Sequence, residues 1–585
     1  MRVILFGLLC FLCHTAIAGP VDKKKAQKIA TALLCNDITS VETSVQEVNL
    51  NNEVRSRIST QSLKSPSFYI FASTAGEGFA IISGDDNFPE IIGYSKTCKL
   101  EDASDMPEAL IAYLEAYSHY VDDVRIGMAE LPATYRAVTD TIVAPLCTTK
   151  WGQGTPFNTK CPQIDGSYAP VGCMATAMAQ IMRYWRFPER ATGKVAYNTE
   201  NSSIGVIDTD LSTDDHIYNW DAMKDRKENM VRPSSYKDVA QLSYDCGVAA
   251  KMKYNLGGSG TSDANGQYAL YNNFGYSRAT TQLIFRNFVS SQTVWNDMIL
   301  KELKEGRPII YCGASTKGSG SDAAGHAFIF DGYDSEGNVH VNWGWNGSYD
   351  GYYSIVTLDM GEYAFSETQS MIYGIKPGKE GETLPQSRLL VFHGAPVADA
   401  VSTSLNKKFI ITLPDFYNYD AISHSWKYSV GLFDKHGKFI ENIVEEVSYE
   451  NFIALNGYHA GKTLIAQIPS KTSNGKELAE GDYVLRFIIN EKDFNSNNGS
   501  ENWILPYCQG GDDSNWLPVE IKGGKAYFDQ VSSGIQNIQG GNDKVKSVDY
   551  FDLSGRNIKY PSKGMFLIER QTMSTGKVRS FKRWF

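Results

Sequence analysis

Metal-ligand spacing is missing from this chain. Its 9 histidines are scattered without a His-x-x-x-His pair. Outside the N-terminal apolar run the cysteines, Cys35, Cys98, Cys147, Cys161, Cys173, Cys246, Cys312 and Cys508, show no ligand pattern either. No metal and no cofactor is therefore expected. A basic balance is also lacking: 56 Lys and Arg face 66 Asp and Glu, a net charge of -10. No segment before the C-terminus offers the positive patch that phosphate recognition needs, which argues against a nucleic-acid partner. Beyond the N-terminus no stretch of about twenty apolar residues occurs, so no membrane span is expected. Ten cysteines in 585 residues are too few for a disulfide scaffold. A Cys147–Cys161 pairing stays open, because sequence does not fix connectivity.

What is present begins with an export address. Met1-Arg2 precedes the apolar run Val3–Cys13 and the small-residue word Ala16-Ile17-Ala18, so residues 1–18 read as a signal peptide and the protein as secreted, extracellular or bound at the cell surface.

The chain is organised around Ala169–Trp185. After the breakers Pro170 and Gly172, the residues Met174, Met178, Ile181, Met182 and Trp185 recur at helical spacing. Cys173 then stands at a helix N-terminus, where unpaired N–H groups and the macrodipole favour an anion, so its thiol is expected to deprotonate easily. The plain alternative is a buried cysteine packed as a small hydrophobe. A nucleophilic thiolate needs an imidazole and a group to aim it. His326 opens an apolar run, Ala324–Tyr333, and after the polar turn Asp334–Asn338 a second run, Val339–Trp345, carries Asn342, Trp343 and Trp345. The two runs read as a hairpin. Asn342 is expected to accept the second ring N–H of His326, with Trp343 covering that bond. Otherwise Asn342 caps a turn and the tryptophans are core.

This order of Cys, Gly-His-Ala-Phe and Asn-Trp-Gly-Trp resembles papain-fold cysteine peptidases. Within that fold the words Trp151–Asn158, Gly172–Ala177, Tyr218-Asn219-Trp220, Asn273–Tyr276 and His340–Gly347 resemble the streptopain family over roughly residues 140 to 378, with a weaker likeness N-terminal to them. The Cys-Gly-Ser-Cys-Trp word of plant papains is absent. The resemblance implies that the side-chain amide of Gln153 donates to the oxyanion, the backbone N–H of Cys173 being the second donor.

Residues 19–143 read as a small α/β unit with a linker: a helix at Lys23–Leu34, strands at Phe68–Ala72 and Gly78–Ser83, and a helix opened by Pro107. The word Gly78–Asp86 resembles the propeptide of streptopain-like zymogens, which implies an intramolecular inhibitor and a cleavable linker within Leu131–Val143. The Gly/Ser-rich stretches Gly257–Ser262 and Gly313–Gly325 read as cleft walls, since neither leads through Gly-Lys-Ser/Thr into a helix. The peptidase domain is expected over 144–378. Residues 385–530 carry short β-prone runs between Gly, Asn and Asp turns, as in an immunoglobulin-like sandwich. Residues 545–585 resemble the C-terminal sorting modules of secreted Bacteroidetes-type proteins.

The sequence reading is thus α+β: a small α/β propeptide, a papain-like domain, an all-β immunoglobulin-like sandwich and a short β module. The function read from it is a secreted cysteine endopeptidase made as a zymogen, acting on proteins or peptides. The competing readings are a surface adhesin in which Cys173 is inert, and a papain-fold transglutaminase or amidase.

Overall fold

The computed structural model of the chain describes residues 19–35, 44–50, 52–58, 65–98, 100, 106–129, 142–286, 289, 292–314, 325–354, 369–379, 390–414, 416–418, 425–444, 450–451, 457–459, 462–491, 503, 505–509, 516–529, 545–551, 566–573 and 578–584. The expected signal peptide, nearly all of the expected linker and residues 315–324 of the second Gly/Ser-rich stretch lie outside the described residues.

The N-terminal unit starts with helix α1 (Lys23–Leu34), whose first turn is capped by the Asp22 carboxylate accepting from the Lys25 N–H at 2.8 Å. Helix α2 (Asn52–Ile58) follows strand β1 (Val45–Glu47). Strands β2 (Phe68–Ser73), β3 (Phe79–Ser83) and β4 (Ile91–Ser95) run antiparallel, and helix α3 (Glu108–Arg125) begins directly after Pro107, which sits at its N-cap. Leu110, Tyr113, Leu114, Tyr117 and Val121 recur at helical spacing on α3 and are all buried.

Two short hairpins, β5 (Gln163–Ile164) with β6 (Ser167–Tyr168) and β7 (Lys194–Asn198) with β8 (Val206–Asp210), flank helix α4 (Cys173–Trp185). Helices α5 (Pro233–Ala249) and α6 (Asp263–Asn272) pack against α4. The buried face of α4 holds Met174, Met178, Ile181 and Met182, as the apolar spacing predicts. Then come β9 (Gln282–Phe285), α7 (Gln292–Lys304), β10 (Ile309–Ala314), β11 (Gly325–Tyr333), β12 (Asn338–Asn342), β13 (Gly351–Ser354) and β14 (Ser370–Tyr373).

β11 and β12 form the predicted hairpin. At its turn Asp334 Oδ1 accepts from the N–H groups of Glu336 and Asn338, at 2.9 and 2.8 Å. Alternation along β11 sends Ala327 and Ile329 to the core around α4, and Phe328 and Phe330 to the core shared with α3 and α7.

The two units share one sheet, ordered β1-β2-β3-β4-β13-β12-β11-β10-β14-β9. The join is β4 against β13, with Tyr94 opposite Tyr352 and Gly93 opposite Tyr353. A Cβ at position 93 would lie 2.5 Å from the Tyr353 ring, so only glycine admits this approach. Around it Phe79 meets Tyr349 at 5.3 Å and Tyr113 meets Tyr353 edge-on at 6.2 Å, in one hydrophobic core that both units fill. Tyr94 also donates from its hydroxyl to Asp334 Oδ2 at 2.9 Å. β13 thus has a hydrogen-bonded partner on each side.

Beyond residue 389, antiparallel strands dominate. Strands Ser425–Asp434, Gly481–Glu491, Leu517–Lys522 and Lys525–Phe528 lie in one sheet, and Lys408–Thr412 pairs Thr463–Gln467 in another. Trp426, Tyr428, Ile411, Phe487 and Leu517 are buried in one core. Among the described residues one pair departs from the antiparallel pattern: Leu390–His393 runs parallel to Tyr507–Gln509. Val545–Phe551, Phe566–Met573 and Val578–Trp584 form a separate three-stranded antiparallel sheet. Cys147 and Cys161 are both free, buried thiols, so the pairing left open by the sequence is not made. Among the described residues no helix is long and apolar enough to cross a membrane.

Candidate active site

Gly172 precedes α4 with φ of +92°, and a Cβ there would press on Met252 Sδ at 2.7 Å, so a glycine is required to bring the chain into α4. Cys173 is the first residue of α4. The Val171 N–H donates to the Gln153 carbonyl at 2.9 Å, which ties the Gln153 loop to the segment entering that helix. His326 enters from the sheet, at the start of β11 and opposite Gly313 of β10. Cys173, Gln153, His326 and Trp345 line one cleft of about 850 Å³. Gly257–Thr261 forms part of its wall, and Glu108, from the first turn of α3, also lines it.

The thiol differs from the sequence expectation. Burial pushes the Cys173 thiol up, against the pull of the N–H groups of Ala327 and Met174, and the Asp263 carboxylate pushes it the same way as burial. The helix start does favour the thiolate, but desolvation outweighs it.

Asn342 also departs from expectation. Its side chain is fully buried, and Oδ1 accepts from Gln180 Nε2 at 3.1 Å and from the Gly344 N–H at 3.0 Å. Its Nδ2 donates to the Thr149 carbonyl at 2.8 Å and to Gln180 Oε1 at 3.2 Å. The bond to the His326 ring is not among these. The register explains why: Asn342 lies opposite Ile329, three residues along β11 from His326, or about 10 Å of strand. Asn342 instead meets Gln180 of α4. Trp343 is buried away from the cleft. Its indole N–H donates to the Tyr349 carbonyl at 3.1 Å, and its ring lies against Phe328 and Tyr353. It covers the join with the N-terminal unit rather than a His–Asn bond.

Two polar residues escape a sequence reading. Gln180, two turns after Cys173, is 1% exposed, and its Oε1 also accepts from the Trp151 N–H at 3.2 Å. It therefore clamps α4, the Trp151 loop and β12 together. The only signal is a polar residue inside the apolar stripe of α4. Asp263 opens α6 after the N-cap Ser262 and lines the cleft, but in sequence it looks like any acidic first-turn residue.

Residues 151–353 match the peptidase C10 family and residues 18–121 match the Spi protease inhibitor family. The chain belongs to the peptidase C10 family of cysteine-type endopeptidases, with a propeptide-like inhibitor domain ahead of the peptidase segment. It is 31% identical over 392 residues to the thiol protease/hemagglutinin PrtT of Porphyromonas gingivalis, a match covering 63% of this chain and 43% of that protein. It is 28% identical over 365 residues to streptopain of Streptococcus pyogenes, covering 57% of this chain and 84% of streptopain. A solved fragment of prointerpain A from Prevotella intermedia aligns with 31% identity over 57% of this chain and 99% of the fragment, at a TM-score of 0.48.

Proposed function

We propose that the chain is a secreted zymogen whose papain-like domain, residues 144–378, hydrolyses peptide bonds in proteins. Cys173 attacks the carbonyl, His326 takes the thiol proton and returns it to the leaving amine, and Gln153 with the Cys173 N–H holds the oxyanion. Asn342 fixes the turn that carries Trp345. The observation that carries this reading is the meeting of Cys173, His326 and Gln153 in one cleft, with Glu108 of the N-terminal unit in the same space. Residues 19–143 act as the inhibitory propeptide: their Glu108 lines the cleft and, through β4, they share a sheet and a core with the peptidase. The strand-rich region 385–530 is an immunoglobulin-like sandwich, a reading supported by its opposed antiparallel sheets, and 545–585 a sorting-like module.

Labelling with a thiol-directed peptidyl electrophile tests this. Processed protein should be labelled at Cys173 and should release peptides from an unstructured protein. Labelling without peptide release would favour a transglutaminase or amidase, and neither would leave an adhesin. The name of the Porphyromonas relative joins protease with hemagglutinin, and we assign any comparable binding role here to the C-terminal strands.

A further inference from the structure

Besides Glu108 of the N-terminal unit, the cleft contains a carboxylate from the peptidase segment that the peptidase mechanism does not use. Asp263 lines it together with Cys173, Met174, Cys312 and Ala327. Its Oδ2 accepts from Ser370 Oγ at 2.5 Å, and the Cys312 thiol is its other donor. Both donors are neutral. Several buried carboxylates here have a basic partner, Asp85 with Arg125, Asp350 with Lys150, Glu302 with Arg307, Asp245 with His216 and Asp331 with His340, while Asp334, at the β11–β12 turn, is held by neutral donors. Asp263 has no basic partner among the described residues, and burial pushes its carboxyl up.

We propose that Asp263 is the floor of a substrate side-chain subsite beside the nucleophile, and that it selects peptides placing a lysine or arginine there. The proposal rests on the peptidase reading. Two neutral donors leave acceptor sites of the carboxylate open, and an incoming guanidinium or ammonium would fill them with charge-assisted hydrogen bonds. The apolar surface of Met174 and Ala327 suits the methylene stem of such a side chain. Gly257, Gly258 and Gly260 also line the cleft and have no side chains to shorten the space. A neutral substrate side chain would cover the carboxylate and leave it without a counter-ion, which weakens binding.

The test uses the processed protein and peptides that differ in one residue, arginine, lysine, citrulline or leucine, scanned over the positions flanking the cleaved bond. At one position kcat/KM for arginine over citrulline should be about tenfold, the size expected of one partly solvated charge pair. Asp263→Asn should bring that ratio near one, and Asp263→Glu should keep it. The same ratio in wild type and Asp263→Asn at every position overturns the proposal. A ratio taken within one preparation does not depend on how much protein is folded. If Asp263→Asn gives no active protein, salt decides: the wild-type ratio should fall as ionic strength rises, and a salt-independent ratio overturns the proposal. Failure of the wild type to cleave any peptide would instead defeat the peptidase reading itself.

Discussion

Gln180 and Asn342 exchange two side-chain hydrogen bonds, Nε2 to Oδ1 at 3.1 Å and Nδ2 to Oε1 at 3.2 Å, in the buried core beside α4. The pair joins α4 to the strand that leads into the Trp343–Trp345 turn. Truncating either partner leaves the other's amide buried and unsatisfied, so Gln180→Ala and Asn342→Ala should each cost about 1–3 kcal/mol of stability. The double variant should cost less than the sum, which a double-mutant cycle by urea unfolding will read. Asn342→Ala should also retain more turnover than His326→Ala, because Asn342 takes no proton. Equal and complete loss in both, with folding intact, would give Asn342 a direct part in the chemistry.

The nucleophile is the simplest test. Cys173→Ala should abolish hydrolysis and electrophile labelling while leaving the far-ultraviolet spectrum and the unfolding midpoint close to wild type, since one sulfur is removed from a half-buried position. Hydrolysis surviving in purified Cys173→Ala would end the assignment.

Latency is testable at the sheet that joins the two units. The uncut chain should be nearly inactive, and cleavage within Leu131–Lys150 should release activity. Gly93→Val sets a side chain against the Tyr353 ring, where a Cβ already comes within 2.5 Å, and should loosen the β4–β13 pairing. Uncut Gly93→Val protein should therefore hydrolyse an unstructured protein several-fold faster than uncut wild type. Equal rates would show that docking through β4 does not govern latency. The comparison belongs in a Gln153-intact chain assayed before any processing is visible.

A second buried pair sets a pH dependence remote from the cleft. His216 Nδ1 lies 2.9 Å from Asp245 Oδ1, and Asp245 also accepts from the Tyr218 hydroxyl at 2.8 Å and from Gln241 Nε2 at 2.8 Å. The Asp245 hydrogen bond holds the imidazole above its ordinary value despite burial, and the nearby Asp215 and Asp210 add to this. Burial pushes the Asp245 carboxyl up as well. Both groups bind protons more tightly folded than unfolded, so the stability they supply is present at low pH and declines as pH rises through the folded imidazole value. The unfolding midpoint should fall as pH rises above about 6.5, the ordinary histidine value, and through the raised folded value. His216→Asn should flatten that slope, as differential scanning calorimetry will show.

Local pattern carried much of this protein in the sequence itself. The apolar spacing after Gly172 marks α4, because a helix that buries one face needs that period. The polar turn between two apolar runs marks the β11–β12 hairpin, and Lys23–Leu34 is both the predicted helix and the observed one. Cys173, His326 and Gln153 are recognisable because each stands in a distinctive short word. Only the tertiary structure decided the rest, since it depends on contacts between distant segments. Register, set by bonds between strands, turned Asn342 away from His326 and toward Gln180. Desolvation, a property of everything packed around the thiol, overrode the helix start at Cys173. The pairing of β4 with β13 made one sheet of two units, and an acidic first-turn residue, Asp263, became a cleft residue only when α6 came to lie beside α4.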